Sequence, residues 1–239
     1  MATLHFLANP ARFRRFSQKV LPALSVVTAL TLLVGLYWAL VVAPPDYQQG
    51  DTVRIMFIHV PSAWLAMMGY TLLAALGASL LVWRHPLAAL MARASAPVGA
   101  TFCAVCLVSG SLWGRPMWGT YWVWDARLTS MLLLFFLFLG HIALTHAYDN
   151  PDRGDRAAAI LAIVGVINVP IIKFSVDWWN TLHQPASVMK LGGPSIDPSI
   201  LYPLLVMALA MLLLFVTLVL LRTETEIDRR RLENAEQGA

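Results

Sequence analysis

Charge is scarce in this sequence: Asp, Glu, Lys and Arg make up only 13% of the 239 residues, while 59% are hydrophobic. A soluble domain is about a quarter charged, so the composition predicts an integral membrane protein. The formal net charge of +4 does not signal nucleic acid, because the basic residues stand at the ends of apolar runs and form no stripe that would track phosphates. There is no G-x-x-x-x-G-K-[ST] loop, so any work done with ATP falls to another subunit. Cysteine is nearly absent: the only two, Cys103 and Cys106, form a C-x-x-C inside an apolar run with no basic neighbour to lower a thiol pKa, so they read as small hydrophobes. Internal repeats and low-complexity tracts are missing as well, and no connection is long enough for a soluble catalytic domain.

What is present is a series of apolar runs of roughly the 20 residues that cross a hydrocarbon core. They lie at 20–42, 55–83, 94–113, 128–147, 157–176 and 200–221. The expectation is a single polytopic domain over 1–239, all-α, with six transmembrane helices. The first run follows a basic segment but is longer than a signal h-region, and reads as a retained anchor. In the fifth, Asn168 and Pro170 are expected to make a packing kink.

Orientation follows from Lys and Arg. Of the 17, 12 (Arg12, Arg14, Arg15, Lys19, Arg84, Arg93, Arg153, Arg156, Arg222, Arg229, Arg230, Arg231) fall on one side. The other side holds 5: Arg54, Arg115, Arg127, Lys173 and Lys190. The positive-inside rule then makes both termini cytoplasmic and turns the segments 43–54, 114–127 and 177–199 outward.

The middle outward segment leads into "WGTYWVWDARLTS", residues 118–130. Six of the nine tryptophans (Trp113, Trp118, Trp122, Trp124, Trp178, Trp179) lie in or beside outward segments, whereas an interfacial belt decorates both faces. The alternatives are such a belt or an apolar platform for a flat ligand. Four histidines are unremarked: His5 in the tail, His85 in a turn, and His141 and His146 near the inner end of the fourth helix. His59, in "FIHVPSAW", and His183, in "WWNTLHQP", stand instead at the outer boundary with Trp nearby. That pair, over an aromatic floor, matches the axial ligands of a six-coordinate haem iron. Haem propionates need donors, and Arg54 and Arg127 qualify, with Lys190 a weaker candidate. Snorkelling at a helix end is their ordinary alternative. Asp125, directly before an apolar helix, reads as its N-cap.

The run from Ser109 to Ser130, with His59 and His183 in the flanking segments, resembles the tryptophan-rich WWD signature of the haem-handling membrane proteins of cytochrome c maturation, and among them the cytochrome c maturation protein C (CcmC) family. Tyr121 stands where that signature carries a tryptophan and keeps the aromatic face. The resemblance implies a bacterial inner-membrane protein that transiently binds b-type haem on its periplasmic side and delivers it to a periplasmic haem chaperone. It also implies partners: an ABC-type ATPase, a second multispanning subunit and a small single-span subunit. A haem lyase-like role in covalent attachment goes with the family, yet no general acid or base is identifiable. The Trp-rich motif 113–130, with Tyr121 and Asp125 in it and Trp178 and Trp179 beside it, is then the haem platform, without bound nucleic acid. A haem-translocating permease of an ABC-type complex and a transmembrane b-haem electron carrier are the other classes. The first needs polar or broken helices at mid-membrane, the second histidines deep in the bilayer.

Overall fold

Three helix starts in this chain are written locally, by an Asn or Asp followed by Pro. In the computed structural model, which describes residues 9–179, 181–184, 187, 188, 190 and 192–237, α1 (Pro10–Tyr37) begins after Asn9, whose side chain accepts from Ala11 N at 2.9 Å. α5 (Pro151–Gly165) begins in the same way after Asn150, which accepts from Asp152 N at 2.9 Å. α7 (Pro198–Gln237) follows Asp197, which accepts from Ser199 N at 2.9 Å. Proline fits the first helical position because its missing N–H would have no partner there, and the preceding side chain satisfies one of the orphan donors. α3 (Pro86–Trp118) also opens on proline, after α2 (Met56–Trp83) ends at Arg84 in a left-handed conformation with φ 49°. α4 (Ala126–His146) starts on Asp125, whose Oδ1 accepts from Leu128 N at 2.7 Å, so the expected cap is present.

Six helical segments are long and apolar enough to cross a membrane: Pro10–Val42, Asp51–Trp83, Pro86–Trp118, Ala126–His146, Pro151–Trp178 and Pro198–Glu233. This is an all-helical, multi-pass membrane protein. Among the described residues the only β pairing is an isolated bridge between Asp46 and Gly50 in the α1–α2 connection. α2 and α3 form the centre. On one side α1 and α7 close a core containing Phe57, Leu65, Leu204, Met207 and Phe215. On the other, α4, α5 and a short α6 (Asn168–Trp178) close a second core around Tyr70, Leu73, Cys103, Leu134 and Phe138. Lipid supplies no hydrophobic drive between helices, so close packing of small residues matters. Where α2 crosses α3, a Cβ on Gly69 would lie 3.4 Å from Gly99 Cα.

The helices do not coincide with the apolar runs. α1, α3 and α7 extend well past the runs, because a helix once capped continues through polar residues without needing apolar ones. The third does not stop at Trp113: it continues through Arg115 and Pro116 to Trp118, where Gly119, at φ 77°, provides the left-handed C-terminal turn and donates to Arg115 O at 3.0 Å. Trp113 and Trp118 therefore stand on a helix, and the loop proper is residues 119–125. The fifth run is two helices. Pro170 has no N–H for the carbonyl of Val166, which accepts from Val169 N at 3.0 Å instead, and Asn168 spends its amide on Ser130 O at 2.8 Å. The expected kink is a break at Val166 and Ile167.

One end of the bundle gathers most of the basic residues and ties them to acids across the sequence: Arg14 to Asp228 at 2.9 Å, Arg230 to Asp152 at 2.5 Å, and Arg93 to Asp155 at 2.5 Å. Arg93 also donates to Pro151 O at 3.3 Å. The aromatic loop lies at the opposite end. His5 lies outside the described residues.

Candidate haem-binding site

His59 sits in the first turns of α2 and leans on α3. Its Nδ1 is 3.0 Å from Cys106 O and 3.2 Å from Ser109 Oγ. A main-chain carbonyl only accepts, so Nδ1 carries the proton and the lone pair is left on Nε2, which has no hydrogen-bond partner among the described residues. Room for the ring comes from Gly110, where a Cβ would approach His59 Cε1 to 2.7 Å. The indole of Trp113 meets the imidazole edge-on, with centroids 5.7 Å apart, and its Nε1 donates to Gln49 Oε1 at 3.1 Å. The C-x-x-C thus contributes to the site through the backbone of Cys106. Its thiols are free and buried, Cys103 against Met131.

His183 is held in a different way. It belongs to the irregular segment after α6, and its Nδ1 lies 3.0 Å from Asp125 Oδ2. The same oxygen accepts from the Thr181 hydroxyl, and Thr181 Oγ1 in turn accepts from His183 N at 3.1 Å. The Trp118 ring stands edge-on to the imidazole at 4.8 Å. Burial works against ionisation of Asp125, but the donors Leu128 N–H, Thr181 O–H and His183 hold its pKa below the ordinary carboxylate value. Burial also lowers the pKa of His183, and the Asp125 charge only partly opposes this. The outcome is a carboxylate accepting from a neutral imidazole, again with Nε2 free of partners among the described residues. His59, His183 and Arg127 lie within electrostatic range of one another.

The loop between them carries the pair Trp122 and Trp124, with centroids 5.4 Å apart. Trp122 Nε1 is a buried donor with no partner among the described residues, and such an atom calls for an acceptor. Trp124 is 75% exposed. The loop folds back on the end of α3, so that a Cβ on Gly114 would lie 3.1 Å from Thr120 O. Tyr121 lies over Arg115, whose guanidinium carbon is 5.7 Å from the ring centroid. Arg127 Nε donates to Ser175 Oγ at 3.3 Å.

Other sequence candidates stand apart from this centre. Arg54 donates to Leu40 O at 2.5 Å and pairs with Asp51 at 3.2 Å, closing the end of the first span. Trp178 stacks on Phe174 at 5.4 Å and meets Trp179 at 5.8 Å, with both indoles at least half exposed and in no ring contact with either histidine. Lys190 is exposed. Residues the sequence reading passed over are Gln49, Ser109, Gly110 and Thr181. Of these only Gly110 carries a signal in the sequence, its G-x-x-x-G spacing with Gly114, which suits close helix contact.

Two imidazoles, each hydrogen-bonded through Nδ1 with Nε2 unpartnered among the described residues, beside aromatic edges and an indole N–H likewise unpartnered there, suit the two axial positions, the apolar macrocycle and the acidic edge of a haem. The fold defines a polytopic membrane protein that carries two histidines and several tryptophans at one end of its helices. The model of the family described as heme exporter protein C matches residues 3–237. The heme exporter protein C of Bradyrhizobium diazoefficiens is 60% identical over 232 residues, 97% of this chain and 88% of that protein. That of Escherichia coli K12 is 48% identical over 96% of this chain and 94% of its own length. A Marchantia polymorpha protein described as a putative cytochrome c biosynthesis ccmC-like mitochondrial protein is 44% identical over 80% of this chain and 78% of its own. The chain belongs to the heme exporter protein C (CcmC) family.

Proposed function

We propose that this protein binds haem at the aromatic end of its bundle, on the periplasmic face of the inner membrane, and delivers it to a periplasmic haem chaperone for the assembly of c-type cytochromes. The observation that carries the reading is the pair of histidines, each oriented through Nδ1 with Nε2 left for iron. Family membership and the names of the relatives support the cargo. The tryptophans supply apolar area at about 25 cal/mol per Å² removed from water, and Arg127 and the Trp122 N–H supply donors for the propionates. Arg54 reaches that edge only by leaving the Leu40 carbonyl. With both axial positions filled by imidazole, oxygen has no open site, and handover requires an incoming ligand on the chaperone to displace one histidine. ATP hydrolysis belongs to ABC-type partners of the same maturation machinery. The break between α5 and α6 does not favour a permease path, because its one polar side chain, Asn168, is already spent on Ser130 O.

The test is purification in detergent: the protein should carry a b-type, six-coordinate haem and pass it to a soluble haem chaperone. Protein that binds no haem when reconstituted overturns the reading. Orientation is tested separately. Single cysteines placed at 114–120 should react in intact cells with an impermeant thiol reagent, and cysteines at 150–155 should not. The opposite pattern reverses the bundle and moves the handover to the cytoplasm.

A further inference from the structure

The two histidines differ in what fixes them. The acceptor for His59 is a main-chain carbonyl within α3, so its orientation comes with the helix pair. His183 lies in a segment without regular structure, and its ring is hydrogen-bonded to the side chains of Asp125 and Thr181. The two oxygens of Asp125 divide the work: Oδ1 caps α4 through Leu128 N at 2.7 Å, and Oδ2 accepts from Thr181 and, at 3.0 Å, from His183 Nδ1. The side chains of Asp125 and His183 are 5% and 17% exposed, so water competes little for these bonds.

We infer that Asp125 is the positioning residue for the axial ligand His183: its carboxylate sets the imidazole tautomer that turns an Nε2 lone pair toward iron and clips the ligand's segment to the start of α4. This rests on the proposed haem-binding role and goes beyond helix capping, for which asparagine would serve as well. Asparagine has one acceptor oxygen. With that oxygen on Leu128 N, the amide presents N–H groups to His183 Nδ1–H, and two donors cannot bond. The imidazole then escapes by moving its proton to Nε2, which removes the lone pair that would bind iron. Serine also caps a helix but is too short to reach the imidazole.

The experiment uses the full-length protein in detergent, comparing Asp125→Asn, Asp125→Ser and His183→Ala with the parent by thermal melting, haem titration, absorption spectrum and midpoint potential. Both Asp125 variants should melt as the parent does and bind haem 10- to 100-fold more weakly, the usual effect of removing a ligand's hydrogen-bonding partner. The bis-imidazole spectrum should shift to a five-coordinate one. Added imidazole should restore six-coordination, and any six-coordinate fraction left should have a raised midpoint potential, since the carboxylate no longer favours the ferric state. Unchanged affinity, spectrum and potential in both variants overturn the inference. So does parallel loss of melting temperature and haem that imidazole does not restore, because Asp125 would then be a cap alone. If His183→Ala keeps the parent spectrum, the assignment of His183 as a ligand fails, and with it the positioning role.

Discussion

Replacing either His59 or His183 with alanine is expected to abolish the bis-imidazole haem spectrum and to weaken haem retention by more than the 10- to 100-fold lost when only a ligand's hydrogen-bonding partner is removed. Neither imidazole Nε2 has a hydrogen-bond partner among the described residues, so the loss should fall on the haem. At residue 59 the deleted ring leaves a space walled by Gly110 and Trp113, into which free imidazole should enter and restore six-coordination. At residue 183 the ring stands between Asp125 and Trp118, and imidazole bound there should keep the carboxylate contact. Absorption spectra of the purified variants, with and without imidazole, decide the matter. An unaltered spectrum in either single variant removes that residue from the iron.

The second large effect lies at the opposite end of the bundle and concerns stability alone. Arg93 and Asp155 form an ion pair whose side chains are 4% and 5% exposed. Breaking a buried pair by removing one partner leaves an uncompensated charge, which costs about 3–5 kcal/mol. Arg93→Ala also deprives Pro151 O of a donor where α3 meets the start of α5. The variant should melt well below the parent in detergent, while the fraction that remains folded keeps the parent's haem coordination. Arg93→Met combined with Asp155→Leu should recover most of the stability, because two apolar groups of similar volume leave no charge buried. A melting temperature unchanged in Arg93→Ala would show that the pair contributes nothing net.

The extent to which this chain is legible in one dimension follows from the range of each interaction. The number of crossings is set by the lengths of the apolar runs, since a backbone in hydrocarbon must satisfy its own hydrogen bonds and a helix does so within itself. Helix starts are equally local: Asn9–Pro10, Asn150–Pro151 and Asp197–Pro198 each combine a cap with a residue preset for the first turn. The third apolar run ends at Trp113, but the helix continues through Gly114 and Pro116 to Trp118, because a proline removes only one bond and Gly119 supplies the stop. Arg93 read as a topology charge, because its partner Asp155 lies 62 residues away.

At the aromatic end, position along the chain singles out His59, His183, the tryptophans and Asp125 as candidates, since imidazole and flat apolar rings at a membrane boundary are informative before their packing is known. What position along the chain cannot express is which nitrogen of each imidazole is engaged by an acceptor. That is decided by acceptors 47 residues from His59 and 58 from His183, brought within 3.0 Å by the packing of α2 on α3 and by the return of the chain after α6 to the start of α4. A tautomer is fixed by a hydrogen bond in space, and only the tertiary structure creates these two.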